Sequence, residues 1–290
     1  VSFDGTVASG NAGTAGDDIL LTAANGDLTI NAAVESRSAN VTTTSTENIV
    51  VTAAGSITSV GGNVVLNSDT DTATSAGGGI RVLGTVTSAG GNITLGGGVD
   101  PAPTDTIATA TSGNDGIQLD GGTLDAGAGD ISLRGSSTLD DGIGIQNGAT
   151  IQTTSGTILL NGTSTTGTGN DGVEITGSGT MVTSATGSIS VVGVGSAGDG
   201  VDVSSDAVVS STDTATITID GTSTAVDQAG VRLQDTNTQI TSVDGNVSIA
   251  GTNNSNLGVF VTSGVEISST GTGASAATIS ITGTGDAGID

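Results

Sequence analysis

The 290-residue chain contains no cysteine, histidine, tryptophan, tyrosine or lysine, and only two prolines and two phenylalanines. Each absence excludes something. Without cysteine there is no disulfide framework and no thiol chemistry. Without His, Cys, Lys or Tyr the common general acids, bases and nucleophiles are missing, which leaves carboxylate pairs as the one catalytic option. The four basic residues are Arg37, Arg81, Arg134 and Arg232, set against 29 acids for a formal net charge of -25. That balance argues against nucleic acid and anionic membrane as partners, because both demand Lys and Arg. It favours solubility and association with cations. No apolar run approaches the roughly 18 residues needed to span a bilayer. No signal peptide is visible at Val1, so the expectation is a leader already removed or a piece of a longer chain.

What is present is aliphatic and patterned. Hydrophobic residues make up 34% of the chain, below the globular norm of about 45–50%, which also counts glycine. Few aromatics and a high net charge can signal disorder. Disorder needs no pattern, however, and here Val, Ile and Leu recur strictly. Asp141 to Leu160 reads DGIGIQNGATIQTTSGTILL and contains three short alternating runs: Ile143 with Ile145, then Ile151, then Ile158 with Leu160. The figure repeats from anchors at Val1, Leu28, Ile49, Ile80, Ile117, Ile143, Val173, Val201, Val231, Val259 and Ile289, at spacings of 21 to 37 residues and commonly near 28.

Alternation of apolar with polar residues is the period of a half-buried strand. Runs of three to five residues are too short for helices, and Gly, Asn, Asp and Ser cluster between them, where turns need them. A strand this short cannot bury its face alone. Stacking equivalent strands from successive coils buries a continuous aliphatic column and pairs the backbone. The predicted fold is all-β: a right-handed parallel β-helix (β-solenoid) with three short strands per coil, about ten coils of roughly 28 residues and one repeat domain over 1–290. Coils rising about 4.8 Å each would make a rod on the order of 48 Å long.

The five inward positions of coil seven are read as Val173, Ile175, Met181, Ile189 and Val191, and those of coil eight as Val201, Val203, Val208, Ile217 and Ile219. Residues 37–48 fit less well, with Val41 placed in a third strand. Extra length is expected at one corner, between the third strand and the next first strand, as in Gly162 to Asp171 and Gly221 to Gly230. The largest such loop is Gly96 to Asp115, which holds Pro101 and Pro103; proline cannot donate to a ladder and is confined to loops or edges. No polar cap is seen at either end. The expectation is an interior slice of a longer solenoid, or a unit that stacks end to end.

Three surface columns follow from the alignment. Asp115, Asp141, Asp171 and Asp199 precede the first strand in four successive coils, each followed by Gly. Carboxylates stacked at about 4.8 Å repel by roughly 1 kcal/mol per pair in water, and clustered hard oxygens suit Ca²⁺. These four are the candidate metal ligands of a row of inter-coil Ca²⁺ sites, helped by Asn114 and Asn170. The plainer alternative is Asp-Gly as ordinary turn chemistry with repulsion relieved by solvent. A second column (Thr94, Ser132, Ser190, Thr218, Ser248 and Ser280, interrupted by Leu159) faces outward on the third strand. It raises an ice-binding reading, set against simple solvation of the outer face. Third, Phe260 alternates with Val259 and Val261 and should point outward, at the place where other coils hold Arg81, Gln118, Glu174, Asp202 and Arg232. Phe3 should point inward.

The phrases GGNITL (Gly90 to Leu95), GDISL (Gly129 to Leu133), GTILL (Gly156 to Leu160), GSISV (Gly187 to Val191) and GNVSI (Gly245 to Ile249) resemble repeats of filamentous-haemagglutinin-like bacterial exoproteins and giant surface adhesins. The resemblance covers essentially the whole chain. It implies secretion, a rod on the bacterial cell surface, and a role in adhesion, biofilm or filament building. Polysaccharide lyases also use β-helices, but their sites generally need a basic residue and aromatic platforms, which two Phe and four scattered Arg do not supply. The reading is therefore a non-enzymatic extracellular rod. Its expected partners are itself, by end-to-end or lateral assembly, or surface glycans or proteins. A binding module working through corner loops is the alternative. No cofactor beyond Ca²⁺ is suggested.

Overall fold

A computed structural model describes residues 1–10, 16–70, 78–98, 108–110, 114–262, 264–271, 277–286 and 288–289. It is all β. Three parallel sheets run the length of the chain, and each coil contributes one strand to each sheet. The first and third sheets have 11 strands and the second has 10. Ten coils are complete, and Gly288–Ile289 opens another. The architecture is the β-solenoid that the repeat predicts.

Register follows the aliphatic positions. In the first sheet Ile80, Ile117, Ile143, Val173, Val201, Val231 and Val259 pair in one unbroken row. In the third sheet Ile93, Ile131, Ile158, Ile189, Ile217, Val247 and Ile279 do the same. Both rows are fully buried through the middle of the rod. A one-residue slip would turn every one of these side chains to the opposite face, so burial holds the register. At the ends the column is uncovered: Val1 and Ile289 are exposed, and Phe3, Val261 and Ile267 are partly buried against the core. Val41 lies in the third sheet, between Ile19 and Val64.

The second sheet corrects two inward assignments. Leu124, Ile151, Val182, Val209, Ile240 and Ile267 share one row. Val182 and Val209 are buried, whereas Met181 is exposed and Val208 half-buried. Both positions of each pair are apolar, so alternation alone does not choose between them. The choice is made one residue earlier. Ala149, Thr180, Ala207 and Thr238 are buried at the corner before the strand. Thr180 is held there by donating Oγ1 to the Thr176 carbonyl at 2.8 Å. Whatever follows that inward corner must point out.

The third strands are longer than expected. Ile131–Ser137, Ile158–Ser164, Ile189–Gly195, Ile217–Ser223 and Val247–Asn253 each run seven residues. The reading of Gly162 to Asp171 and Gly221 to Gly230 as loop from their first residue is thus corrected, since the first three residues of each continue the strand. Glycine is the reason. At Gly162 an added Cβ would run into the Gly172 carbonyl, and at Gly172 into the Val194 backbone nitrogen and the Gly200 carbonyl. The Gly after each column aspartate is therefore required by close approach of the third and first sheets. It is not in the left-handed region that turns favour. Within the Gly96 to Asp115 insertion, Ala108–Ala110 adds a further strand beside Gly135–Ser137. Pro101 and Pro103 lie outside the described residues.

Candidate functional site

The aspartate column occupies the corner between the third sheet and the first. Each carboxylate reaches toward the next coil and accepts from its backbone. Asp115 Oδ1 accepts from the Asp141 N–H at 3.3 Å, Asp141 Oδ1 from Asp171 at 2.6 Å, Asp171 Oδ1 from Asp199 at 2.6 Å, and Asp199 Oδ1 from Ala229 at 2.5 Å. Asp27 and Asn48 make the same bonds nearer the chain start, to Asn48 at 3.1 Å and Gly79 at 2.9 Å. The column is first of all a capping ladder that satisfies N–H groups at a bend where the sheets part.

The opposite corner, before the third strand, carries a second ladder that the sequence reading missed. Asp18, Asn40, Asn63, Asn92 and Asp130 each accept from the backbone of the next coil, at 2.7–2.9 Å. The signal was present in the quoted phrases: Asn or Asp stands directly before the first aliphatic of GGNITL and GDISL.

The two ladders differ in what covers them. Asp115, Asp171 and Asp199 are buried, Asp141 is half-buried, and their carboxylates lie over the outer face of the first sheet. There each meets the outward residue of the following coil. Those residues pair in the order Arg81, Gln118, Gly144, Glu174, Asp202, Arg232 and Phe260, as the sequence alignment expects. Asp115 sits over Gly144, where a side chain would collide with its Oδ2. Asp141 faces Glu174, Asp171 faces Asp202, and Asp199 faces Arg232.

Asp199 has its countercharge. Arg232 Nε donates to Asp199 Oδ2 at 2.5 Å and its Nη2 to Oδ1 at 3.2 Å, with Gln228 Oε1 also accepting at 3.2 Å. The guanidinium lies 5.0 Å from the Phe260 ring centroid, a cation–π distance. The outward Phe260 thus packs on its neighbour. Asp141 and Asp171 instead face acids. One group of carboxylates is Asp115, Asp140 and Asp141; another is Asp171, Glu174 and Asp202, and in each the oxygens lie within 4.8 Å of one another. The structure therefore splits the four candidate ligands. Asp115 and Asp141 share one cluster, Asp171 belongs to a second, and Asp199 is bound to arginine. Asp140, the sequence neighbour of Asp141, joins them, as do Glu174 and Asp202, which no spacing rule places beside a corner one coil away.

Ionisation reflects that setting. Burial, then repulsion from Asp199, Asp202 and Asp141, pushes the Asp171 carboxyl up to about 9. Burial, then Asp141 and Asp140, raises Asp115 to about 7. Burial, then Asp199, raises Asp202 to about 7. Asp141 and Glu174 are also raised, chiefly by burial.

Compared with protein-family models, curated proteins and solved structures, the chain matches none of them. Its chemistry must be read from its own surface. A depression over Asp27, Asn48, Arg81, Asn114, Asp115 and Gln118 has a volume of about 210 Å³, and another over Asp125, Gln152, Thr153, Thr183 and Thr212 about 350 Å³, against the roughly 300–1,000 Å³ of small-molecule pockets. The polar column Thr94, Ser132, Leu159, Ser190, Thr218, Ser248, Ser280 is continuous in register along the third sheet. No helix of the described residues is long and apolar enough to cross a membrane.

Proposed function

We propose that the chain is a load-bearing segment of an extracellular, non-catalytic rod on a bacterial surface, serving adhesion or fibre building. The observation that carries this reading is the unbroken pairing of all three sheets from coil to coil, with core residues in contact mainly with their counterparts above and below. In such a solenoid tension is shared among nearest-neighbour coil contacts. The residue chemistry agrees: the sequence contains no His, Cys, Lys or Tyr, and the four column aspartates each accept a backbone N–H of the next coil. The resemblance to haemagglutinin-like exoprotein repeats supports the bacterial-surface setting, and the acidic exterior keeps neighbouring rods apart. Partners are other copies of the rod, by end-to-end or lateral assembly, or surface glycans and proteins.

Electron microscopy of the purified chain tests the reading. The expected result is uniform rods that lengthen end to end with concentration. Compact particles that never associate would overturn it. A second reading, recognition by a corner insertion, has its own observation: Ala108–Ala110 adds a strand beside the third sheet. Glycan-array binding abolished by shortening 96–115, with the rod intact, would favour that reading.

A further inference from the structure

We propose that Asp171, Glu174 and Asp202 form a binding site for a calcium-sized hard divalent cation, bridging the seventh and eighth coils. Asp171 and Glu174 belong to one coil, at its corner and on the strand Val173–Thr176; Asp202 belongs to the next, on Val201–Ser204. Glu174 and Asp202 are directly paired in register, so the rise of one coil brings their carboxylates together. The three offer oxygens within 4.8 Å of one another. Ca²⁺ holds oxygens at about 2.3–2.6 Å, so ligands on opposite sides stand up to about 5 Å apart, whereas Mg²⁺ at about 2.0–2.1 Å needs a tighter set.

A second observation is independent of the clustering. Asp202 is only 6% exposed, and its Oδ1 is buried with no hydrogen-bond partner. Its carboxylate has Gln234 Nε2 at 3.5 Å from Oδ2 and the Ser204 hydroxyl nearby. An acceptor-only oxygen left bare in a buried place costs on the order of 1–3 kcal/mol. A cation supplies what that oxygen lacks. The nearest guanidinium does not take the role, because Arg232 is committed to Asp199, to Gln228 and to the face of Phe260. The cluster of Asp115, Asp140 and Asp141 has no comparable bare oxygen among the described residues.

The test is calorimetric titration of Ca²⁺ alone into the chelator-stripped full chain, together with melting followed by circular dichroism. Asp202→Asn and Glu174→Gln serve as site variants and Asp220→Asn, an exposed acid on the third sheet, as control. Neutralising a member of a repelling cluster does not threaten the fold. Ca²⁺ is expected to raise the melting temperature of the unaltered chain by mass action. Each site variant is expected to weaken Ca²⁺ binding by about tenfold or more, and Asp220→Asn by less than about twofold. Three results would overturn the site: no heat and no melting shift at millimolar Ca²⁺, a shift reproduced by NaCl at equal ionic strength, or Ca²⁺ affinity unchanged in Asp202→Asn. None of them bears on whether the chain forms rods.

Discussion

The two side-chain ladders make the same hydrogen bond at two corners of the same coil and pursue opposite electrostatic courses. Before the third strand, Asp18, Asn63, Asn92 and Asp130 cap the next coil in the open and Asn40 does so half-buried. Three of the five members of that ladder are neutral, and water screens the exposed Asp18 and Asp130. Before the first strand, Asp115, Asp171 and Asp199 do the same work under cover of the long corner, and there a carboxylate pays for desolvation. Asparagine would satisfy the same N–H groups without charge. The acids at the buried corner are therefore not explained by capping, and the buried corner is the one that faces Glu174, Asp202 and Arg232.

The comparison can be broken most sharply at Asp199. Asp199→Ala removes the acceptor of the Ala229 N–H and strands Arg232, and should cost about 3 kcal/mol in denaturant unfolding. A loss below about 1 kcal/mol would mean that the Arg232 pair contributes nothing net. The next effect is on pH dependence. Asp171, Asp115 and Asp202 hold their protons more tightly folded than unfolded, with the folded values near 9, 7 and 7 against 3.8 for the free side chain. The stability they confer is full below the unfolded value and disappears as pH rises through the folded values. In chelator the melting temperature should thus fall steadily between pH 4 and pH 9, and Asp171→Asn should flatten the alkaline part of that fall. A profile with no slope in this window would show that the cluster is open to water.

Smaller effects belong to the exposed corner. Asn63→Ala leaves the Asn92 N–H to solvent and should cost about 1 kcal/mol, the worth of one net hydrogen bond. Smallest of all is Asp130→Asn, which puts the residue of Asn63 and Asn92 at their own ladder position and should move the melting temperature by no more than about 2 °C. A larger loss would mean that charge matters at the open corner too, and the contrast between the corners would fail.

Much of the fold was legible because the repeat is written in residue types. Aliphatics at matching places give stacked strands, and the rows from Ile80 to Val259 and from Ile93 to Ile279 pair as aligned. The outward identities of Phe260 and Arg232 followed from the same alternation. The second strand was misread where two apolar residues stand side by side, at Met181–Val182 and Val208–Val209. The third strand was cut short because GTS looks like a loop until Gly172 is seen pressing on Gly162. The candidate ligands were half legible: the column of Asp115, Asp141, Asp171 and Asp199 was visible, while Asp140, Glu174 and Asp202 were not.

By itself, then, the sequence determined the solenoid, the number of coils and the chemistry that is missing, because local alternation repeated many times leaves one way to bury short aliphatic strands. Only the tertiary structure decided which acids meet, which of them lie buried and which one finds an arginine. Those outcomes depend on the rise from one coil to the next and on a corner folding over a neighbouring sheet, and neither distance is encoded within any single repeat.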